Sequence, residues 1–498
     1  MSRRCVLAGA CWLLFACSDL PDGDSPGAPT QTDAAGTEQP GPGADPTTAG
    51  TNGGGVDEAA TGDVDGEGGS AEDASGGDAA PASSAGDAAV GGDGAAGAGS
   101  VPPAQTEPPI AYVDPGDQPW EPVSEDQVEE VCGLDLAALQ QARTALPIPW
   151  AIVRHGRLCY ENVPAGETPM TATEVFSTTK TMGATVVGIA SHQTRDIPRS
   201  GRQTGQLSDW DRVDHWLDDF TYNPDAHVAH VLAMVGHNAD LSLGAKQHAY
   251  DTTGDVQINS LSRMVNVAVA QDPARLGADI EEFTRRFLFE PLGMRASTWT
   301  GGASDKVFGY SWSASTRDML RLGLLLLNRG TWNGQRVLAE EWVYKMTHPA
   351  FEDGNTGYGY LTWLSSRSNH SIGFSPPTAQ GPNVQCAPAA LWESYPHGEL
   401  SRSPDCNYEP PYDCEQGLDV GVFQAVGFMG MLIQVHPGLD LVIAARADPL
   451  GGAGVWPALL PAVVNADPQY AGDQDAFCQA YAANEYAPDW HGPWRNVP

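Results

Sequence analysis

The sequence is poor in basic residues. It has 26 lysines and arginines against 63 aspartates and glutamates in 498 residues, a formal net charge of −37. Neutralising nucleic-acid phosphates takes clustered lysine and arginine side chains, so this composition argues against a nucleic-acid binder that uses a basic surface. The same shortage argues against electrostatic docking on anionic lipid. We therefore expect no nucleic-acid partner, and contact with a membrane only through an anchor.

The sequence also lacks an apolar run long enough to span a bilayer as a helix. At the N-terminus, Arg3 and Arg4 precede a short apolar run at 5–16, which is typical of a secretory signal. The run ends in Leu-Phe-Ala-Cys at 14–17, which resembles a bacterial lipobox and implies lipidation of Cys17. An ordinary signal cleaved near Ala16 is the alternative. By resemblance to Gram-negative lipoproteins, Ser18 after the cysteine is compatible with outer-membrane sorting. We therefore expect an exported lipoprotein of the bacterial cell envelope and leave its membrane leaflet open.

Residues 18–110 contain no aromatic side chain and no lysine or arginine, but 17 acidic residues. Such a segment cannot bury enough apolar surface to offset the entropy lost on ordering, so it is predicted to be a disordered, self-repelling tether. It carries nearly half of the net charge, and the charge therefore says little about the partners of the remainder. We predict three parts: the signal at 1–17, the tether at 18–110 and one folded domain at 111–498.

The domain holds six of the nine cysteines, an even number that in an exported chain indicates up to three disulfides. A Cys132–Cys159 bond would tie the first helix to the first hairpin, but the sequence leaves the pairing open. The other four cysteines are Cys386, Cys406, Cys414 and Cys478. The stretch at about 365–419, rich in proline, serine and cysteine, is either a lid or a surface loop.

The apolar pattern places strands at both ends of the domain and helices between them. Residues 150–160 and 427–446 read as hairpins, whereas 134–143, 174–190, 316–326 and 456–464 read as helices. Ser315 or Thr316 is expected to cap the third of these helices. The order predicts an α+β fold, in which the N- and C-terminal segments share one antiparallel sheet flanked by helices and the middle forms a helical lobe.

Ser177 and Lys180 stand three residues apart where a helix is predicted to begin. Residues with this spacing project from one face of a helix, one turn apart. The helix start offers unpaired N–H groups beside the serine oxygen, and an enclosed lysine amine can accept the serine proton. The pair thus suggests an activated nucleophile, although a capped helix with an exposed lysine would read the same. Ser177 lies in no Gly-x-Ser-x-Gly elbow, which argues against a Ser-His-Asp triad of the α/β-hydrolase type.

Several blocks around this pair occur in the order found in one family of enzymes. They are residues 151–157, Phe-Glu-Pro-Leu-Gly-Met at 289–294, and the blocks at 310–319, 322–328, 334–338 and 358–363. From about residue 150 to 464 the chain resembles serine β-lactamases and penicillin-binding-protein-like hydrolases, in the class C-like branch that includes esterases, D-aminopeptidases and 6-aminohexanoate-dimer hydrolases. The resemblance implies a β-lactamase/transpeptidase-like fold and an acyl-enzyme at Ser177.

The second motif of that family is Tyr-x-Asn, and here Tyr250-Asp-Thr252 stands in its place. By resemblance Tyr250 is the proton shuttle, assisted by Lys180. Thr252 replaces the usual asparagine and offers fewer hydrogen-bond donors than an amide. This departure bears on recognition of a substrate amide more than on the nucleophile.

The third motif, a strand lining the site, corresponds to Gly-Phe-Met-Gly-Met at 427–431. Gly430 is expected where the backbone approaches the substrate. The resemblance implies an oxyanion hole made by the N–H groups of Met431 and Ser177. Phe428 stands where the family often has a cation that holds a substrate carboxylate, so a neutral ester or amide suits the site better than a β-lactam.

The sequence thus predicts a lipid-anchored serine hydrolase acting on a small ester or amide, with catalytic residues Ser177, Lys180 and Tyr250 and no cofactor. His227 and His230 lie three residues apart, but no motif supplies further ligands, so no metal is expected. One alternative is a D-amino-acid peptidase or carboxypeptidase acting on cell-wall peptides, with Arg317 or Arg402 as the carboxylate anchor. The other is a catalytically inactive surface binding protein.

Overall fold

The computed structural model describes residues 110–218, 225–234, 252–348, 350, 358–364, 421–449 and 454–482. The signal, the tether up to residue 109, Tyr250, Arg402 and the 365–419 stretch with its three cysteines lie outside the described residues. The predictions made for them stay predictions.

The described helices and strands agree with an α+β class. The helices are α1 Val128–Cys132, α2 Leu136–Ala145, α3 Thr179–Gln193, α4 Val213–Trp216, α5 Val228–Leu232, α6 Thr252–Val269, α7 Pro273–Leu276, α8 Ile280–Thr284, α9 Glu290–Leu292, α10 Thr316–Leu327, α11 Glu340–Thr347, α12 Val455–Ala466 and α13 Gln474–Ala482. The strands are β1 Trp150–Arg154, β2 Arg157–Asn162, β3 Thr173–Glu174, β4 Thr298–Trp299, β5 Gly301–Gly302, β6 Asp305–Lys306, β7 Trp312–Ala314, β8 Thr331–Trp332, β9 Gln335–Arg336, β10 Trp363–Leu364, β11 Phe423–Gly427, β12 Met431–His436 and β13 Leu441–Ala445.

One antiparallel sheet joins the two ends of the domain. Its order is β10-β11-β12-β13-β1-β2, with Ile152 of β1 opposite Ile443 of β13. The first and last described strands along the chain are therefore neighbours inside the sheet. This confirms the predicted sharing of one sheet by the N- and C-terminal segments.

Helices cover both faces of this sheet. Side chains alternate along each strand, so a strand such as β1 contributes apolar side chains to both faces. On one face Ala151, Val153 and Val442 pack into a large apolar core together with α3 and α10. On the other face Ile152 and Ile443 pack with α2, α12 and α13. Ser315 caps α10 as predicted, its hydroxyl accepting a hydrogen bond from the Asp318 N–H at 3.1 Å.

The helix that carries the predicted nucleophile begins later than its sequence pattern suggests. Residues 173 and 174 pair with β7, a 3-10 turn covers Phe176–Thr178, and α3 begins only at Thr179. The turn arises because Phe176 takes a left-handed φ of 47°, which ends the extended segment abruptly. Ser177 therefore sits in a tight turn at the entrance of α3.

A disulfide joins Cys132 at the end of α1 to Cys159 in β2. This pair is the one that the sequence suggested as a link between the first helix and the first hairpin, and it is confirmed. Cys478 is also disulfide-bonded. Among the described helices, none has both the length and the apolar composition needed to cross a membrane.

Candidate active site

The nucleophile turn, residues 175–178, is fixed by backbone hydrogen bonds at its start. The Val175 N–H donates to the Trp312 carbonyl at 2.8 Å, and the Thr178 N–H donates to the Val175 carbonyl at 3.2 Å. The Thr179 hydroxyl accepts from the Trp312 N–H at 3.0 Å. Strand β7 thus holds the turn from one side, and the half-buried Ser177 keeps part of its surface open to solvent.

Lys180 lies in the first turn of α3, and its side chain is only 2% exposed. Its Nζ is 3.0 Å from Ser177 Oγ and 3.0 Å from the carbonyl oxygen of Gly309. The sequence spacing predicted that Ser177 and Lys180 share a helix face, and the structure brings their polar atoms into hydrogen-bond contact. An amine held this way is within reach to exchange a proton with the serine hydroxyl.

The segment predicted as a strand at 427–431 is not one continuous strand, and this part of the prediction is wrong. Strand β11 ends at Gly427, residues Phe428–Gly430 make a 3-10 turn, and β12 begins at Met431. Met429 and Gly430 both take left-handed backbone angles, with φ of 60° and 71°. The segment is therefore the tip of a β11–β12 hairpin, which we call the hairpin tip, residues 427–431.

Two glycines in the hairpin tip have different roles. A Cβ added to Gly427 would overlap the Val175 carbonyl and lie 2.9 Å from Thr178 Oγ1, so this glycine lets the hairpin approach the nucleophile turn. A Cβ added to Gly430 would overlap the backbone of Asp448. Gly430 is thus required by its left-handed φ and by Asp448. Gly427 makes a close backbone approach to the nucleophile turn, whereas the predicted approach of Gly430 to the substrate stays a prediction.

Phe428 contacts the nucleophile turn through its ring. The rings of Phe428 and Phe176 meet edge to face, with centroids 5.4 Å apart. Met431 opposes Gly427 in the sheet, and its carbonyl accepts a hydrogen bond from Thr178 Oγ1 at 3.3 Å. Phe428 and Met431, both named from the sequence as site residues, thus lie against residues adjacent to Ser177.

Of the second motif, the structure describes only the backbone of Thr252, which is the first residue of α6. Tyr250 and the Thr252 side chain lie outside the described part. Their predicted roles stay predictions. Sequence reasoning missed two contributors nearby: the carbonyl of Gly309, which accepts from Lys180, and Asn259, which holds the Gly309 segment. A polar side chain between the buried Ile258 and Leu261 was the available signal.

The remaining candidates named from the sequence, the two histidines and Arg317, make contacts away from Ser177. The backbone N–H of His227 donates to Nδ1 of His230 at 3.0 Å. Burial, together with the nearby His227, lowers the pKa of His230. Within the described ranges, no three histidine, cysteine or acidic side chains are grouped as metal ligands.

Arg317 binds Glu161 with both Nε (2.9 Å) and Nη2 (2.5 Å), and its side chain is 13% exposed. Its charge is therefore already neutralised.

Solved structures of β-lactamases and other hydrolases are similar to this chain. A class C β-lactamase from Rhodobacter sphaeroides matches at 15% identity with a TM-score of 0.41, over 65% of this chain and 97% of that one. A β-lactamase/D-alanine carboxypeptidase from Pseudomonas syringae matches at 13% identity with a TM-score of 0.42, over 68% and 99%.

EstCE1, described as a hydrolase with promiscuous acyltransferase activity, matches at 13% identity with a TM-score of 0.38, over 67% of this chain and 97% of its own. This chain is therefore similar in fold to proteins described as β-lactamases and hydrolases. No protein-family model matches the chain, and no curated protein matches it.

Proposed function

We propose that this protein is a serine hydrolase that cleaves a small, neutral ester or amide through an acyl-enzyme at Ser177. The observation that carries the proposal is the 3.0 Å contact between Lys180 Nζ and Ser177 Oγ at the start of a buried helix. A lysine amine is costly to bury, and an exposed lysine of a merely capped helix would extend into water instead. The contact therefore supports a chemical role for the pair.

The proposed reaction has two steps. Ser177 Oγ attacks the substrate carbonyl carbon while its proton passes to the Lys180 amine, and the proton then moves to the leaving alcohol or amine as the acyl–heteroatom bond breaks. Water then attacks the acyl carbon, the bond between this carbon and Ser177 Oγ breaks to release the carboxylic acid, and a proton from the water passes to Ser177 Oγ. By resemblance Tyr250 shares the proton transfers, and the N–H groups of Ser177 and Met431 stabilise the oxyanion.

The surroundings of the nucleophile favour a neutral acyl group. The Phe428 ring of the hairpin tip packs on the ring of Phe176, the residue before Ser177, and this pair offers apolar surface and no charge. The carboxylate anchor that a cell-wall peptidase would need is not supplied by Arg317, because Glu161 already pairs with it. We therefore place peptidase action second, with Arg402 as its remaining candidate anchor.

We further propose that the hydrolase is exported and attached to the cell envelope through lipid on Cys17, with the acidic segment at 18–110 as a spacer. The proposal is supported by the signal-like N-terminus and the Leu-Phe-Ala-Cys sequence at 14–17. Intact mass of the membrane-extracted protein tests it. A lipid-sized mass increase at an N-terminal Cys17 is expected, and a Cys17→Ser variant should lose both that mass and membrane retention. A chain that begins at Ser18 without lipid would contradict the anchor.

The hydrolase proposal is tested by reacting the mature chain with a fluorophosphonate, in which a serine oxygen displaces fluoride from phosphorus. We expect one adduct on the wild-type chain, located at Ser177 by peptide mass, and none on Ser177→Ala. Ser200→Ala, at an exposed serine, is the matched control and should label as the wild type does. A folded wild-type chain that forms no adduct would contradict the proposal and favour a binding protein.

A further inference from the structure

Helix α6 holds the segment 306–309 through two side chains on one face. Asn259 Oδ1 accepts hydrogen bonds from the N–H of Phe308 at 2.8 Å and from that of Gly309 at 3.1 Å. One turn further along the helix, Ser262 Oγ accepts from the N–H of Lys306 at 2.5 Å. Positions 259 and 262 share a face because side chains three apart in a helix are neighbours.

Gly309, whose N–H is held by Asn259, is also the residue whose carbonyl contacts Lys180. Its N–H is bonded to Asn259 Oδ1, and its carbonyl oxygen is 3.0 Å from Lys180 Nζ. A single residue thus connects α6 to the amine beside Ser177. Among the described contacts, the groups that face this amine are the Ser177 hydroxyl and the Gly309 carbonyl. Tyr250, two residues before α6, is the predicted further neighbour.

What Asn259 adds is the orientation of peptide planes. The Phe308 ring is fully buried and packs on the Trp299 ring, with centroids 5.0 Å apart, so packing already fixes the place of this side chain. A ring contact does not set the rotation of the following peptide. Two consecutive N–H groups bound to one amide oxygen fix the peptide planes on the N-terminal side of Gly309. The Gly309 carbonyl lies in the next plane, one Cα further on, so these bonds restrict the positions that this carbonyl can reach.

We propose that Asn259 is a positioning residue for Lys180, acting through the Gly309 carbonyl. It orients this carbonyl so that the carbonyl holds the amine against Ser177 Oγ. The inference rests on the proposed hydrolase function, since it assigns the amine the role of accepting the serine proton. Asn259 itself contacts neither Ser177 nor Lys180 in the described hydrogen bonds.

The experiment measures the rate constant of fluorophosphonate adduct formation at Ser177 against pH, for the full mature chain and three variants. In Asn259→Ala the loosened carbonyl should lower the plateau rate on the order of 10- to 100-fold, because a misplaced catalytic group is costly. The acid limb of the profile should also move to lower pH, since the ammonium form of Lys180 loses an acceptor.

Asn259→Asp keeps both acceptor contacts and adds a negative charge near the amine. We expect its plateau rate to stay within about 3-fold of the wild type, with the acid limb moved to higher pH, because the nearby charge favours the ammonium form. Ser262→Ala is the matched control, as it removes a similar contact from the same helix face without touching the Gly309 peptide. Its profile should keep both plateau and limb.

A labelled wild-type chain with an unchanged Asn259→Ala profile would overturn the inference and leave the hydrolase proposal intact. Equal losses in Asn259→Ala and Ser262→Ala, with neither acid limb moved, would also overturn it, because they indicate a structural role alone. If Asn259→Ala does not fold, the direction of the Asn259→Asp shift decides, and an unmoved limb overturns the inference. A wild-type chain that never labels would overturn the hydrolase proposal and this inference together.

Discussion

The two sides of Ser177 are built from different interactions. On the helix side, the buried Lys180 is held by polar contacts to Ser177 Oγ and the Gly309 carbonyl, and Asn259 Oδ1 accepts from the N–H of Gly309. On the side of the hairpin tip, Phe428 offers an apolar ring, and Met429 is 54% exposed. One side is buried and directional, whereas the other is apolar and partly open to solvent.

This difference matches the demands of two tasks of the proposed hydrolase, proton transfer and substrate selection. Proton transfer needs donor and acceptor atoms within hydrogen-bond distance, and buried polar networks hold such distances because each member would be costly to leave unpaired. Selection among neutral acyl groups needs only apolar contact, which tolerates small displacements. The comparison therefore predicts that damage to the helix side stops the reaction, whereas damage to the hairpin tip changes which substrate reacts.

The largest effect is expected from Lys180→Met, which keeps the length of the side chain and removes the amine. Without a proton acceptor, kcat/KM for every ester and the rate of fluorophosphonate labelling should fall by roughly 10²- to 10⁴-fold. Lys345→Met is the matched control, because Lys345 pairs with Asp209 and Glu341 rather than with the nucleophile. Thermal unfolding of separate samples first establishes that both variants are folded, and the kinetic assays follow.

A Lys180→Met chain that labels at the wild-type rate would show that the amine has no chemical role. A loss confined to one substrate would contradict the comparison instead, because it would assign the helix side a part in selection. Equal losses in the two lysine variants would indicate that folding rather than proton transfer was impaired.

An intermediate effect is expected from Phe428→Lys, which places a cation beside the Phe176 ring. We expect kcat/KM for neutral esters to fall about 10-fold, because apolar contact is lost and a charge must be desolvated. Esters that carry a carboxylate on the acyl group should gain relative to neutral ones. Phe428→Leu is the control that keeps the apolar character, and kinetics on a matched pair of esters give the preference directly.

Labelling by a small fluorophosphonate should change little in either Phe428 variant, since Lys180 is untouched. An unchanged preference between the two esters in Phe428→Lys would contradict the assignment of Phe428 to substrate selection. A collapse of labelling would contradict the division of tasks between the two sides.

Sequence patterns were sufficient for the parts of the site that depend on local spacing. Ser177 and Lys180 are three residues apart, and the cap at Ser315 and the strands at both ends follow from local residue order and periodicity. The turn at Phe428–Gly430 was missed because an apolar run of Phe and Met carries no turn signal beyond one glycine.

The contacts of the Gly309 backbone were missed for a different reason. A backbone group has no letter in the sequence. Lys180, which donates to the Gly309 carbonyl, and Asn259, which accepts from the Gly309 N–H, are 129 and 50 residues away along the chain. Such long-range hydrogen bonds depend on how α3 and α6 pack, which local periodicity does not specify.

The smallest effect is expected at the link between the two sides, where Thr178 Oγ1 donates to the Met431 carbonyl. Thr178→Val keeps the side-chain volume and removes this hydrogen bond, which should lower the free energy of unfolding by about 1 kcal/mol. If the two sides are independent, labelling should change by less than about 3-fold and the ester preference should not move. Thr185→Val, at a buried threonine within α3, is the control for loss of a hydroxyl. A 100-fold loss of labelling in Thr178→Val alone would show that the hairpin tip positions the nucleophile, and the two sides would then have to be treated as one unit.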